Sequence, residues 1–153
     1  MIDPGKLGPL PAQEIRELGD TFRAISRTVR LHEEELAEGL VLTRGQERCL
    51  YVFALADFEK LAGEMSRTPV TNKAARNFQR VLLSAASDEI PDKQGRVTVP
   101  AALRQYAGLD RECTVIGTGS RVEVWDTAAW EEYLASTEQA FADQSEEVIP
   151  GLM

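Results

Sequence analysis

The sequence predicts an α+β fold built from two tandem copies of one β-hairpin-then-helix unit. Three observations carry that prediction. Shifting the chain by 72 residues lays Val41–Phe53 over Cys113–Trp125 without a gap, and Asp57–Glu59 over Ala129–Glu131. Within each copy, two short runs alternate apolar and other residues, as half-buried strands do. Each pair of runs is then followed by apolar residues at helical spacing.

The repeat register is specific. Gly45 meets Gly117, Leu50 meets Val122, Val52 meets Val124, Phe53 meets Trp125 and Phe58 meets Trp130. The first runs span 41–44 and 113–116, a glycine-containing turn follows, and the second runs span 49–53 and 121–125. The helix after the first copy presents Phe58, Leu61, Ala62 and Met65 as its apolar face. That after the second presents Trp130, Tyr133, Leu134, Thr137 and Phe141. These aromatics are expected to pack the core.

A further helix is expected between the copies, over about 72–86, opening at Thr71 or Asn72 as N-cap. Ala75, Phe78, Leu82 and Ala85 form its expected buried stripe, with Lys73, Arg76 and Arg80 as a basic stripe beside it. Ser87, Asp88 and Pro91 mark its end.

The second copy opens with Asp92-Lys-Gln-Gly-Arg-Val-Thr-Val-Pro-Ala-Ala-Leu-Arg-Gln-Tyr-Ala-Gly-Leu109. Asp92 to Gly95 reads as a tight turn, because glycine admits positive φ. Arg96–Val99 reads as a short strand with Val97 and Val99 on one face and Arg96 and Thr98 on the other. Pro100 ends the strand and suits the first turn of a helix, which stops near Ala107 with Gly108 as its terminating glycine. Lys93, Gln94 and Arg96 are thereby presented outward, beside a helix N-terminus that favours phosphate.

Charge is distributed to match. The 153 residues carry 17 basic and 25 acidic side chains, a net charge of −8, which as an average argues against a nucleic-acid partner. Seven of the acids lie in Asp126–Met153, which has no Lys or Arg, so the rest of the chain is nearly neutral. Met65–Ser87 carries Arg67, Lys73, Arg76 and Arg80 with no acid, and Asp92–Arg111 has a net charge of +2. Either run is a solvated face or a basic binding surface.

Other classes recede. Hydrophobic residues make up 43% of the chain, too many for a disordered protein, and no apolar run approaches the ~18 residues of a membrane span. Residues 1–10 lack the apolar core of a secretory signal. Cys49 and Cys113 match no metal-ligand spacing and are expected to be two reduced thiols, a disulfide being the alternative. With one histidine, His32, and neither a nucleophile elbow nor a glycine-rich phosphate loop, no catalytic set converges. The chain is expected to be no enzyme and to need no cofactor or metal.

Asp92-x-x-Gly-Arg96, followed by strand, proline, Arg104 and Ala-Gly-Leu109, resembles the swapped-hairpin SpoVT/AbrB DNA-binding module, and in particular the MraZ family, which carries the module twice in one chain. The resemblance covers about residues 34–143. It implies one pseudo-two-fold small β-barrel with flanking helices, to which both copies supply strands. It divides the chain into a divergent segment 1–33, the rest of a degenerate first repeat 34–66, a connecting helix 67–88, a second repeat 89–128 and a C-terminal helix with acidic tail 129–153. It also implies a bacterial transcriptional regulator of the cell-division and cell-wall gene cluster, cytoplasmic and nucleoid-associated. Such a regulator binds short direct repeats in promoter double-stranded DNA as a ring-shaped homo-oligomer, with no membrane and no small-molecule substrate.

Carried onto this chain, the DNA-contacting residues are Arg96, Lys93 and Gln94. Asp92 and Gly95 serve the turn, Asp92 also orienting the arginine, while Arg104 is either a phosphate contact or a structural ion pair. Lys73, Arg76 and Arg80 are weaker candidates, a solvated face or subunit contact being the alternative. The chain departs from the family pattern in its first copy. Asp20 lies under Asp92, but Arg23, Ala24, Thr28 and His32 lie under Gly95, Arg96, Pro100 and Arg104. Asp3–Lys6 and Leu10–Arg16 echo the motif loosely, and family-like sequence resumes at Glu34. Loss of the first strand would open a sheet edge, for which Thr28–Leu31 is the candidate substitute. Two other readings stay open: a ring-forming subunit that has lost DNA binding, and a general AbrB or antitoxin-like regulator.

Overall fold

The computed structural model describes residues 39–144 other than 70, 94, 95, 119 and 120, together with the backbone of 13–15 and 21–22. Among the described residues, eight strands and four α-helices follow in chain order. β1 is Gln13–Ile15, β2 Thr21–Phe22, β3 Leu40–Arg44 and β4 Leu50–Ala54, then α1 Leu55–Ser66 and α2 Lys73–Ser84. β5 Ser87–Glu89, β6 Val97–Thr98, α3 Ala101–Ala107, β7 Cys113–Gly117, β8 Val122–Asp126 and α4 Thr127–Ala142 complete the order.

The two copies meet about a pseudo-two-fold. Hairpins β3–β4 and β7–β8 pair antiparallel through β4 and β8, with Leu50 opposite Val124 and Val52 opposite Val122. Outer strands extend both sides, giving the sheet order β1-β7-β8-β4-β3-β5, while β2 and β6 form a separate ribbon. One face carries Leu40, Leu42, Leu50 and Val52 of the first copy with Val115, Val122 and Val124 of the second. The ribbon and α3 close the small barrel over that face through Val97, Val99, Leu103 and Ala107. On the opposite face, Val41, Tyr51, Phe53 and Trp125 pack under α1, α2 and α4 through Phe58, Met65, Leu82, Trp130 and Tyr133. Strands covered on both faces have no polar side to present, which is why β4 is buried along its whole length.

Three local readings are corrected. The connecting helix is capped by Asn72, whose side chain accepts from the Ala75 N–H, but of its expected stripe only Leu82 is fully buried, and Phe78 is 44% exposed. The helix docks through its C-terminal half instead. Thr43 Oγ1 donates to the Leu82 carbonyl, Arg44 Nη1 donates to the Val81 carbonyl at 2.9 Å, and Gln79 Nε2 donates to the Met65 carbonyl at 2.8 Å. Next, Ser87 and Asp88 do more than end a helix, because with Glu89 they form β5 along β3. Finally, α4 is covered only in part: Trp130 and Tyr133 pack on Trp125, whereas Leu134 is 39% and Phe141 75% exposed. The outer edge of β7 is taken by Gln13–Ile15, while Thr28–Leu31, the candidate substitute strand, lies outside the described residues.

Both cysteines are free thiols with no exposed surface. Burial pushes each from about 9 up to about 12, reinforced by Glu123 and Glu47 at Cys49 and by Asp126 at Cys113. A raised thiol pKa stabilises the fold below the unfolded value, and that stability is lost as pH rises through the folded one. Between pH 9 and 12 each thiol is therefore expected to remove on the order of 1 kcal/mol per pH unit. Chemical denaturation across that range measures this. At pH 8 neither thiol is expected to react with a disulfide reagent faster than the protein opens.

Candidate nucleic-acid interface

The site is built at the start of the second copy. β5 leaves the sheet edge at Glu89, and the chain then passes Pro91 and turns back before β6. The turn is held from both ends. The Asp92 N–H donates to the Arg96 carbonyl at 3.0 Å, and the Arg96 N–H donates to Asp92 Oδ1 at 2.9 Å. The same carboxylate pairs through Oδ2 with Arg96 Nε at 2.6 Å. One aspartate thus fixes both the backbone of the turn and the direction of its arginine. The pair is more than a third exposed on both sides, 37% for Arg96 and 41% for Asp92, so it orients more than it stabilises.

Past the turn, Val97 and Val99 are 2% exposed while Thr98 faces out, which anchors the loop on the core by alternation. Pro100 precedes α3, and Gly108 ends it at φ +63, a left-handed position suited to glycine. Lys93 is exposed beside Asp92. Gln94 and Gly95 lie outside the described residues. Arg104 is half-buried on α3, set back from the turn by β6 and Pro100. Asp92, Lys93 and Arg96 are therefore brought together. Lys73, Arg76 and Arg80 are not, since α2 packs on the opposite face of the sheet from α3.

Tyr106 locks α3 to the first copy, a link absent from the sequence reading. Its hydroxyl donates to the Gly45 carbonyl at 2.6 Å, and the guanidinium groups of Arg48 and Arg44 lie over its ring at 5.2 and 5.9 Å. The β3–β4 turn is shaped for this. Glu47 and Arg48 take left-handed φ values of +58 and +64, and a Cβ on Gly45 would come within 2.6 Å of Cys49 Sγ and 2.7 Å of the Tyr51 ring. The 61-residue separation between Tyr106 and Gly45 hides the contact from any local pattern. Among the described residues there is no group of three metal-ligating side chains, and no helix is long and apolar enough to cross a membrane.

A duplicated hairpin-and-helix body, with a basic turn pinned by an aspartate, defines a tandem-repeat α+β protein. The family model described as MraZ protein matches the chain twice, over residues 30–81 and 82–150. Similar proteins include the transcriptional regulator MraZ of Kocuria rhizophila, 64% identical over 77% of this chain and 82% of the relative. Those of Micrococcus luteus, at 62%, and Leifsonia xyli subsp. xyli, at 64%, each match 78% of this chain and 83% of their own length. The chain belongs to the MraZ family, a family of transcriptional regulators and not of enzymes.

Proposed function

We propose that this chain regulates transcription by binding DNA through the Asp92–Arg96 turn, with Arg96 and Lys93 as the principal contacts, Gln94 beside them and Arg104 toward the backbone. The observation that carries the reading is the pinned arginine. Asp92 occupies Nε, so the terminal Nη pair is the part of the guanidinium offered to a groove, and a planar pair of donors matches the O6/N7 edge of guanine. The fold contributes preorganisation, since Val97 and Val99 seat the loop in the core and less rotamer freedom is lost on binding.

In this reading the DNA is the promoter of the cell-division and cell-wall gene cluster, carrying short direct repeats. The protein works as a homo-oligomeric ring in the cytoplasm, at the nucleoid. One turn per subunit is a small contact, and a ring sets several at fixed spacing so that avidity supplies the affinity. The units proposed are 1–33, 34–66, 67–88, 89–128 and 129–153, with the intact motif in 89–128. Of the seven acids after Trp125, Glu131, Glu132 and Glu138 lie on α4, which packs on the face of the sheet opposite α3.

A gel-shift titration on the DNA upstream of the gene, against the same DNA with its repeats scrambled, tests this. Preference for the repeats is expected, and log K should fall linearly with log salt by about 0.9 for each phosphate neutralised. Equal binding to both DNAs overturns sequence-specific reading. The missing Asp-x-x-Gly-Arg at 20–32 favours a second reading, a ring subunit that no longer reads DNA. Assembly without salt-sensitive DNA binding would select it.

A further inference from the structure

Ile90 is 74% exposed and stands between the end of β5 and Pro91, two residues before Asp92. The other exposed large apolar residues among those described, Phe78, Val81, Leu83, Leu134 and Phe141, all lie on α2 or α4. A lone exposed isoleucine is ordinary on a protein surface. This one stands at the foot of the basic turn, where charged and hydrogen-bonding side chains would serve phosphates and polar base edges better.

Its direction is constrained from both sides. Glu89 is held in register opposite Leu40 of β3, which fixes the chain just before it. Pro91 follows, and a residue before proline is confined to extended backbone. The branched Cβ restricts χ1 as well, so little freedom remains to be lost on contact. Its reach is set by covalent geometry. Two residues span at most about 7 Å, so the Cα atoms of Ile90 and Asp92 are no farther apart than about two base-pair steps. Asp92 Oδ2 holds Arg96 Nε at 2.6 Å, so one short stretch of chain carries both the guanidinium and the isoleucine side chain.

An apolar group has one apolar counterpart in the major groove. Adenine, guanine and cytosine offer hydrogen-bonding atoms there, and thymine alone adds a methyl group, at C5. We infer that Ile90 is a specificity-determining residue that packs on the C5-methyl of a thymine within about two base pairs of the guanine read by Arg96. The contact presupposes the DNA-binding reading above and adds a second base to what the turn distinguishes. Thymine is preferred over cytosine at that place, since cytosine lacks the methyl and turns its N4 donor toward an apolar side chain.

Deoxyuridine removes that methyl and nothing else. It replaces each thymidine of one repeat in turn, and the full chain is titrated against each DNA by fluorescence anisotropy. A parallel scan with 7-deazaguanine, which lacks N7, locates the guanine. At one thymidine close to that guanine the parent should lose about fourfold in affinity, the worth of one methyl withdrawn from apolar contact. Ile90→Ala should bind the unmodified repeat more weakly and be indifferent to deoxyuridine at that position. Ile90→Val, still β-branched, should keep the sensitivity. All variants should fold as the parent does by circular dichroism, because the side chain lies outside the core.

A parent indifferent to deoxyuridine at every position, or an Ile90→Ala chain as sensitive as the parent, overturns the contact. So does a sensitive thymidine that lies far from any guanine whose N7 matters. An Ile90→Ala chain of altered mass in light scattering, with deoxyuridine sensitivity intact, overturns it too, because the residue then faces another copy. Failure of the turn itself reads differently: 7-deazaguanine costs nothing anywhere, and Arg96→Ala and Lys93→Ala both bind like the parent.

Discussion

Arg96→Ala is expected to weaken binding to repeat-bearing DNA by about 5- to 150-fold for each turn engaged, the equivalent of the ~1–3 kcal/mol that one bidentate arginine–guanine pair discriminates. Losses multiply when several turns of one assembly bind together, so a gel shift at a fixed protein concentration should lose the complex altogether. The thermal midpoint should barely move, because the Arg96–Asp92 pair is largely solvent-exposed and contributes little to stability. Three companions separate the roles. Arg96→Lys keeps the charge and loses the planar fork, so it should retain binding to scrambled DNA while losing preference for the repeats. Lys93→Ala should weaken both DNAs alike and reduce the salt slope by about 0.9 per site. Asp92→Asn keeps an oxygen to accept the Arg96 N–H but drops the ion pair to Nε, and should cost affinity by releasing the guanidinium from its fixed direction. Parent-like binding by both Arg96→Ala and Lys93→Ala would remove the turn from the mechanism.

The turn was legible because everything that shapes it is local. Asp92, Pro100 and Gly108 each act within four residues of where they stand, and Val97 and Val99 declare the strand by alternation alone. Both hairpins and the helices after them were legible for a related reason: the repeat states each one twice. Burial that depends on neighbours was not. Phe78 and Phe141 sit at helical spacing from apolar residues that are covered, yet α2 is positioned by hydrogen bonds from Thr43, Arg44 and Gln79, and the sheet covers α4 at Trp130 and Tyr133 but not at Phe141. β5 escaped notice because Ser-Asp-Glu has no strand propensity, and only the open edge of β3 makes it one. The pairing of Gln13–Ile15 with β7 is likewise set by an available edge and not by a motif.

Leu42→Ala should separate stability from recognition in the opposite sense to Arg96→Ala. Leu42 has no exposed surface and lies between Val52 on β4 and Ser87 on β5, facing the core beneath α3. Truncation removes its transfer free energy and leaves a cavity that strands paired on both sides cannot collapse to fill, at a cost of about 2–5 kcal/mol. Against the ~5–15 kcal/mol of an ordinary domain, the variant stays mostly folded at room temperature while its melting temperature falls by roughly 5–20 °C. DNA binding in the cold should therefore survive in Leu42→Ala. Ile90→Ala, at a residue 74% exposed, should change stability by no more than about 0.5 kcal/mol. The stronger test lies in the shape of the transition. Leu42 belongs to the first copy, but its cluster includes Val97, Val99, Leu103, Val115 and Val124 of the second, so neither copy owns a core. One cooperative unfolding step, shifted as a whole and seen alike by probes in both copies, follows from a shared interior. Two steps, with only the first copy destabilised, would mean that the copies fold separately, and the Asp92–Arg96 turn would then not depend on the sheet that the first copy completes.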